Sequence, residues 1–462
     1  MRRFCLSFLL SAFLWCEAAE RADYILTANW VVTMDSQMRV IGDGAVAVRG
    51  ERIAGVGTRA EIGKRFITKN YIESTSSILA PGLINTHTHA PMALFRGIAD
   101  DLALQDWLER FIFPAEAKNV SPEFVRDGTR LACLEMLLSG TTTYTDMYYF
   151  EETIAEATKE CGMRGVLGQT VIGFPVADAK TPAESLSRTE AFFRKYANDP
   201  LITPAVAPHA LYTNDEKTLR AARALADQYR KPLLIHLSET RKENDDMQAK
   251  YGASPTVVLD RWGILTGWTV AAHAVWINPG DIAILKDRKT GIAHCPSSNM
   301  KLASGIAPVT SLLEQDMPVG LGPDGPAGSN NDFNLFEEMD LAAKLQKVHT
   351  GNPTAVSARQ AFEMATIRGA HALGLQQQIG SLEEGKRADL ILVGTHAPHA
   401  VPMFDVYSHL VYALKGSDVR HVMVNGRLVV RNRQILTLNA TAVVAKAVEW
   451  QKKIEKSLES SR

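Results

Sequence analysis

The sequence has no excess of charge of either sign: 50 lysines and arginines stand against 51 aspartates and glutamates, for a formal net charge of −1. The two signs are mixed along the chain, so there is no basic footprint for nucleic acid or for an anionic membrane surface. A small-molecule ligand is the expectation that remains. Cysteine is also scarce. Of the five, Cys5 and Cys16 lie in an N-terminal leader, and Cys133, Cys161 and Cys295 form an odd set without paired spacing. This argues against a disulfide framework or a zinc–thiolate site and leaves buried free thiols.

Long apolar runs are missing as well, except at the start. There "MRRFCLSFLLSAFLWCEAAE" has two arginines, an uncharged apolar stretch from Phe4 to Trp15, and small residues at Ala18 and Ala19. This is signal-peptide grammar, too short to cross a bilayer comfortably. Residues 1–18 are read as a signal peptide, giving a periplasmic or secreted protein, or a cytoplasmic one if the leader is not a signal. Trp15, directly before Cys16, is too bulky for a lipid-attachment motif. No stable membrane insertion is expected after signal removal, and the chain is free to form a homo-oligomer.

What is present is a repeating pattern. At 462 residues the chain exceeds one small core. From Ala22 to about Ala80 it shows short alternating strands with turns, and after about Gly380 the pattern returns, with a hairpin turn at Asn425 and Gly426. The middle alternates apolar strand-like runs with helical stretches such as "SPEFVRDGTRLACLEMLLSG" and "DEKTLRAARALADQYR". The strand-like runs are "ILAPGLINTHTH", "TTTYTDM", "GVLGQTV", "ITPAVAPHALY", "PLLIHLSET", "TVAAHAVWI", "GIAHCPSSN" and "PVGLGPDGPAG". Eight such units close a (β/α)8 barrel. The predicted fold class is therefore α/β: a TIM-like barrel over 81–375, a small β-sandwich domain built from 19–80 and 376–440, and a C-terminal helix over 441–462.

Chemically capable residues gather at the C-terminal ends of these runs, the end where such barrels carry their active sites. His87 and His89 close the first run, His209 the fourth, His236 the fifth, His273 the sixth and Asp324 the eighth, with Glu239 three residues beyond His236. Residues two apart on a strand point the same way, so His87 and His89 can share one ion. A third imidazole from His236 and the Asp324 carboxylate would complete the protein ligands of a catalytic divalent metal with room for water. Such an ion lowers the pKa of water from ~15.7 towards ~7. The resulting hydroxide can attack the amine-bearing carbon of an aromatic ring, with Glu239 protonating the neighbouring ring nitrogen. Asp324 takes the proton of the attacking water, and His273 orients that water. His294 and His371 are read as packing or hydrogen-bonding histidines without a ligand role.

In order and spacing, "PGLINTHTH", "HLSET", "AAHAVWI", "HCPSSNMKLASGIAPV" and "GLGPDGPAGSNNDFNLFEEM" resemble the amidohydrolase superfamily. The resemblance is closest to its deaminase and chlorohydrolase branch, which contains the 5-methylthioadenosine/S-adenosylhomocysteine deaminases. It implies one metal, commonly zinc, on His87, His89, His236 and Asp324. Run four lacks the lysine that bridges two metals in binuclear members. It also implies that His209 contacts substrate and that Glu116, in "FIFPAE", holds ribose hydroxyls. The implied reaction is deamination of an adenine nucleoside (5-methylthioadenosine, S-adenosylhomocysteine or adenosine), with a guanine-type base or an s-triazine as the alternative. The family's carboxylate-binding arginines are missing. "GMRGVLGQT" offers Gln169, and 174–187 has no arginine, which leaves Arg188 or Lys180 as substitutes.

Overall fold

Eight parallel strands close into a barrel at the centre of the computed structural model, which describes residues 19–459. The expected signal peptide, residues 1–18, lies outside the described residues. The strands are β1 (Leu83–Thr88), β2 (Thr141–Tyr148), β3 (Arg164–Val171), β4 (Ile202–Pro208), β5 (Leu233–Leu237), β6 (Thr269–His273), β7 (Gly291–His294) and β8 (Val319–Leu321). Each pairs with the next, and β8 closes on β1 through Leu321 and Asn85. These are the eight runs identified in the sequence. β1, β2 and β3 are buried at every residue, because parallel strands have helices on one face and the barrel interior on the other.

The helices start where the sequence places their caps. Ser121 accepts from the Phe124 N–H at 3.2 Å to open Pro122–Leu138, and Asp215 accepts from the Thr218 N–H at 2.8 Å to open Glu216–Tyr229. Inside the barrel, Ile84, Val166, Ala205, Ala207, Leu234, Val270, Ala272 and Ala293 pack into one apolar cluster with Ala370, Leu373, Leu375 and Ile379. The alternate residues Leu83, Leu167, Val206, Ile235, Ile292 and Val319 belong to the larger core shared with the helices.

Both chain ends build one nine-stranded sheet, whose bonding is continuous from Gln434–Ile435 through Leu390–Gly394 and Ser77–Pro81 to Arg52–Thr58. Leu26, Val46 and Val48 from one end pack with Leu390, Leu392 and Met423 from the other. The hairpin at Asn425 and Gly426 has φ of 51° and 77°, the left-handed pair that a two-residue turn requires. Sheet and barrel are tied by a buried ion pair: Arg164, at the start of β3, donates to both Asp389 oxygens at 2.8 and 3.1 Å. The C-terminal helix Ala440–Glu459 buries Val443, Trp450 and Ile454, and the Trp450 indole N–H donates to Asp127 at 2.8 Å. Among the described residues no helix is long and apolar enough to cross a membrane. Cys133, Cys161 and Cys295 are buried and free.

Candidate active site

Two features bring side chains to the barrel mouth that plain alternation would turn away. Ile84 faces the interior, so a strict two-residue period along β1 would turn His87 outward. However, Asn85 pairs with Tyr144 and Thr88 with Asp146, which places one extra residue on β1. That bulge reverses the phase. Along β6, Ala272 faces inward, and His273 follows it into the pocket with a left-handed φ of 71°. His236 needs no such device, being in phase with Leu234 on β5.

The ligand-capable atoms of His87, His89 and His236 all lie within 4.8 Å of one another. Asp324 Oδ1 stands 3.3 Å from Nε2 of both His87 and His89. Second contacts fix the rings. His89 Nδ1 lies 2.7 Å from the Met147 carbonyl and His236 Nδ1 lies 2.9 Å from the His209 carbonyl, so each Nδ1 donates to a carbonyl and each Nε2 is turned inward. Among the described residues His87 Nε2 is buried with no hydrogen-bond partner. Burial pushes His87 down to about 4 and holds His236 well below the usual imidazole range, so both rings are neutral at neutral pH, the form that ligates metal. An orphaned buried nitrogen facing two more imidazoles and a carboxylate is a donor set that fits a divalent cation.

The remaining sequence-predicted residues line the same cavity, of about 60 Å3. Glu239 is buried, its Oε2 3.8 Å from His273 Nε2, and burial raises its carboxyl above the ordinary range. His273 Nδ1 stands 2.9 Å from Asn299 Oδ1, which leaves Nε2 unpartnered. His209 Nδ1 lies 3.1 Å from the Thr213 hydroxyl. Glu116 is buried, accepts from the Tyr148 hydroxyl at 2.6 Å, and is raised by burial to about 7. The apolar wall includes Leu104, Trp107, Leu108, Ile112, Phe113 and Ile172. Most of that wall comes from one irregular helical segment, Leu104–Asn119, which contains a five-residue π-turn at Leu108–Ile112.

Some expectations are corrected. Arg188 and Lys180 do not reach the cavity, whose lining contains no lysine or arginine; Arg188 lies 3.8 Å from Glu184 on its own helix. Gln169 is engaged with Asp178 at 2.8 Å. His294, by contrast, agrees with expectation: it is fully buried and neither ring nitrogen has a partner among the described residues, which is the packing alternative of its two expected readings. His371, expected to pack, is exposed in the last turn of Ile367–Ala372, where its ring has water around it.

Several residues escaped sequence reasoning. Ser298 donates to Asp324 Oδ2 at 2.7 Å, and Asn299 orients His273. Both come from the quoted "HCPSSN" stretch, which carried the signal without revealing their partners. Cys295 Sγ lies within 4.8 Å of ligand-capable nitrogens of His87 and His273. Glu243 accepts from the backbone N–H groups of Ser238 and Glu239.

Residues 78–429 match the model of the amidohydrolase family, and the chain belongs to that family. Within it, the chain is similar to a 5-methylthioadenosine/S-adenosylhomocysteine deaminase of Thermodesulfovibrio yellowstonii, 45% identical over 436 residues, spanning 94% of this chain and 99% of that protein. It is also similar to a 5'-deoxyadenosine deaminase of Methanosarcina acetivorans, 42% identical over 428 residues, spanning 92% and 97%. Among solved structures, a zinc-bound adenosine deaminase from Xanthomonas campestris superposes with a TM-score of 0.93 at 38% identity, over 95% of this chain and all of that one.

Proposed function

We propose that this enzyme hydrolytically deaminates an adenine nucleoside, releasing ammonia and leaving the inosine analogue, with one zinc ion held by His87, His89, His236 and Asp324. The observation that carries the reading is the convergence, in one cavity, of that donor set with a buried acid at Glu239 and a second buried acid at Glu116. A divalent cation bound there supplies Lewis acidity that makes water a nucleophile at neutral pH.

The chain's own residues account for the rest. Glu239, whose burial favours the protonated form, donates to the ring nitrogen beside the amine-bearing carbon. Asp324 accepts the proton that the attacking water loses. His273, held through Nδ1 by Asn299 Oδ1 at 2.9 Å, turns its Nε2 into the cavity and so orients that water. Glu116 takes the ribose hydroxyls and His209 contacts the substrate; both line the cavity, which supports these roles. Once water has added, the Asp324 proton passes to the amino nitrogen, the remaining hydroxyl proton returns to Glu239, and the carbon–nitrogen bond breaks to release ammonia, leaving a carbonyl beside the protonated ring nitrogen.

The cavity wall narrows the substrate. With no lysine or arginine in its own lining, it favours an uncharged 5′ side, as in methylthioadenosine or adenosine, over the zwitterionic tail of adenosylhomocysteine; Arg241 and Lys242 line only the adjoining pocket beyond Leu104, Leu108 and Tyr212. Ammonia release across adenosine, methylthioadenosine, adenosylhomocysteine, guanine and melamine tests this. Turnover of the first two above the third is expected, and a preference for guanine or melamine would overturn the nucleoside reading. Metal analysis of purified protein tests the zinc assignment: about one equivalent of zinc per chain is expected, and protein active without it would overturn the assignment. Export through residues 1–18 belongs to the same proposal: mature protein from the native host should begin near Ala19, and an intact N-terminus in the cytoplasm would sink it. The division into a barrel over 81–375 and a β-domain over 19–80 and 376–440 is likewise proposed.

A further inference from the structure

The turn between His236 and Glu239 carries both a metal-binding imidazole and the acid, and its backbone is unusual. Ser238 has a φ of 48°, a left-handed conformation that a serine adopts only when its surroundings enforce it. Its own side chain does not help, since the buried hydroxyl has no hydrogen-bond partner. Two external groups hold the turn. On one side the Ser238 carbonyl accepts from the N–H groups of Val275 and Trp276, at 3.1 and 2.9 Å, just after β6. On the other side stands Glu243.

In sequence, Thr240-Arg241-Lys242-Glu243 reads as an ordinary capping box, in which the glutamate returns to the N–H of the threonine. Only half of that box forms. The Thr240 hydroxyl accepts from the Glu243 N–H at 3.2 Å and caps Arg241–Tyr251. The Glu243 carboxylate reaches past Thr240, with Oε1 accepting from Ser238 N–H at 3.2 Å and Oε2 from Glu239 N–H at 2.9 Å. Nor is Glu243 a surface ion-pair residue. It is buried, and the neighbouring cations Arg241 and Lys242 face Asp245 and Asp246 at 3.7 and 2.8 Å. A buried carboxylate without a cation is costly to keep, and among the described residues its polar partners are the amides beside the acid.

We infer that Glu243 is a positioning residue: it clamps the strained Ser238–Glu239 backbone and so aims the Glu239 carboxyl at the ring nitrogen of the substrate. The inference rests on the reading of Glu239 as the proton donor. Because Glu243 acts through Glu239, its loss should matter only while the Glu239 carboxyl is present.

The test is a double-mutant cycle on the zinc-loaded full chain, reading kcat, KM and metal content with the best nucleoside of the panel. Glu243→Ala in the wild-type background should lower kcat by roughly tenfold to 10²-fold, with KM and metal content near wild type. Glu243→Gln, which keeps one acceptor oxygen, should lose less. In the Glu239→Gln background, Glu243→Ala should cost nothing further. An unchanged kcat, an equal fold-loss in both backgrounds, or a loss of metal that accounts for the lost rate would each overturn the inference. If Glu243→Ala does not fold, Glu243→Gln carries the same cycle. A wild-type enzyme inactive on every nucleoside overturns the functional reading instead, and that result is read before any variant is made.

Discussion

The two ends of the barrel handle buried polar groups in opposite ways. At the N-terminal ends of the strands, Arg164 donates to both oxygens of Asp389 and to the Pro200 carbonyl, and Asp389 also accepts from the Asn425 N–H at 2.6 Å. At the C-terminal ends, His87 Nε2, His273 Nε2 and Asn299 Nδ2 are buried without partners, and Ser238, His273 and Asp324 all hold positive φ. The Arg164–Asp389 cluster is satisfied, and the mouth is left with unused bonding capacity and local strain. The same strands thus divide stability from chemistry along their length.

Removing a ring from the unsatisfied end should have the largest effect. His87→Ala or His236→Ala is expected to abolish both metal retention and turnover; purified variants that still carry about one equivalent of metal would break the comparison. Next comes the satisfied end. Asp389→Ala leaves the Arg164 charge buried and unpaired and should destabilise the fold by about 3–5 kcal/mol, seen as a lower urea midpoint with unchanged kcat per folded molecule. Replacing both partners by apolar residues should recover most of that loss. A drop in kcat for folded Asp389→Ala would show that the two ends are coupled.

Glu239→Gln sharpens the contrast within the mouth itself. Metal content should stay near wild type while turnover falls by roughly 10²-fold or more, and near wild-type deamination would refute the proton-donor role. The smallest effect is expected at neither end: His371→Ala, at an exposed helix position, should leave metal content, turnover and melting temperature unchanged within measurement.

Much of the site was legible because strand ends concentrate chemistry. His236 is in phase with Leu234, and Asp324 follows the last strand in the same phase as its inward glycines, so simple alternation places both correctly. The H-x-H pair was legible only as a pair. That His87 and His89 share a face follows from their spacing, but that the face points inward depends on the bulge, which the residues LINTHT do not announce. His273 depends on a left-handed backbone at a position where Ala272 already occupies the inward phase. Glu243 was hidden by a stronger local pattern, since a threonine three residues before a glutamate suffices to explain it as a helix cap. The arginine question ran the other way. Arg188 and Lys180 were near in sequence, yet Arg188 sits on the solvent side of its helix and Lys180 is exposed, which linear proximity cannot reveal.

The extra residue in β1 carries a lesson for engineering. Transplanting two histidines onto the first strand of another eight-stranded barrel would install the right side chains on the wrong side of the wall, aimed at the surrounding helices. The transferable unit is the whole stretch from Asn85 to His89, insertion included. Deleting one residue between Asn85 and His87 would leave the histidine spacing intact while pointing both rings away from the cavity. In this barrel, then, the count of residues before the motif is as much a part of the proposed metal site as the histidines are.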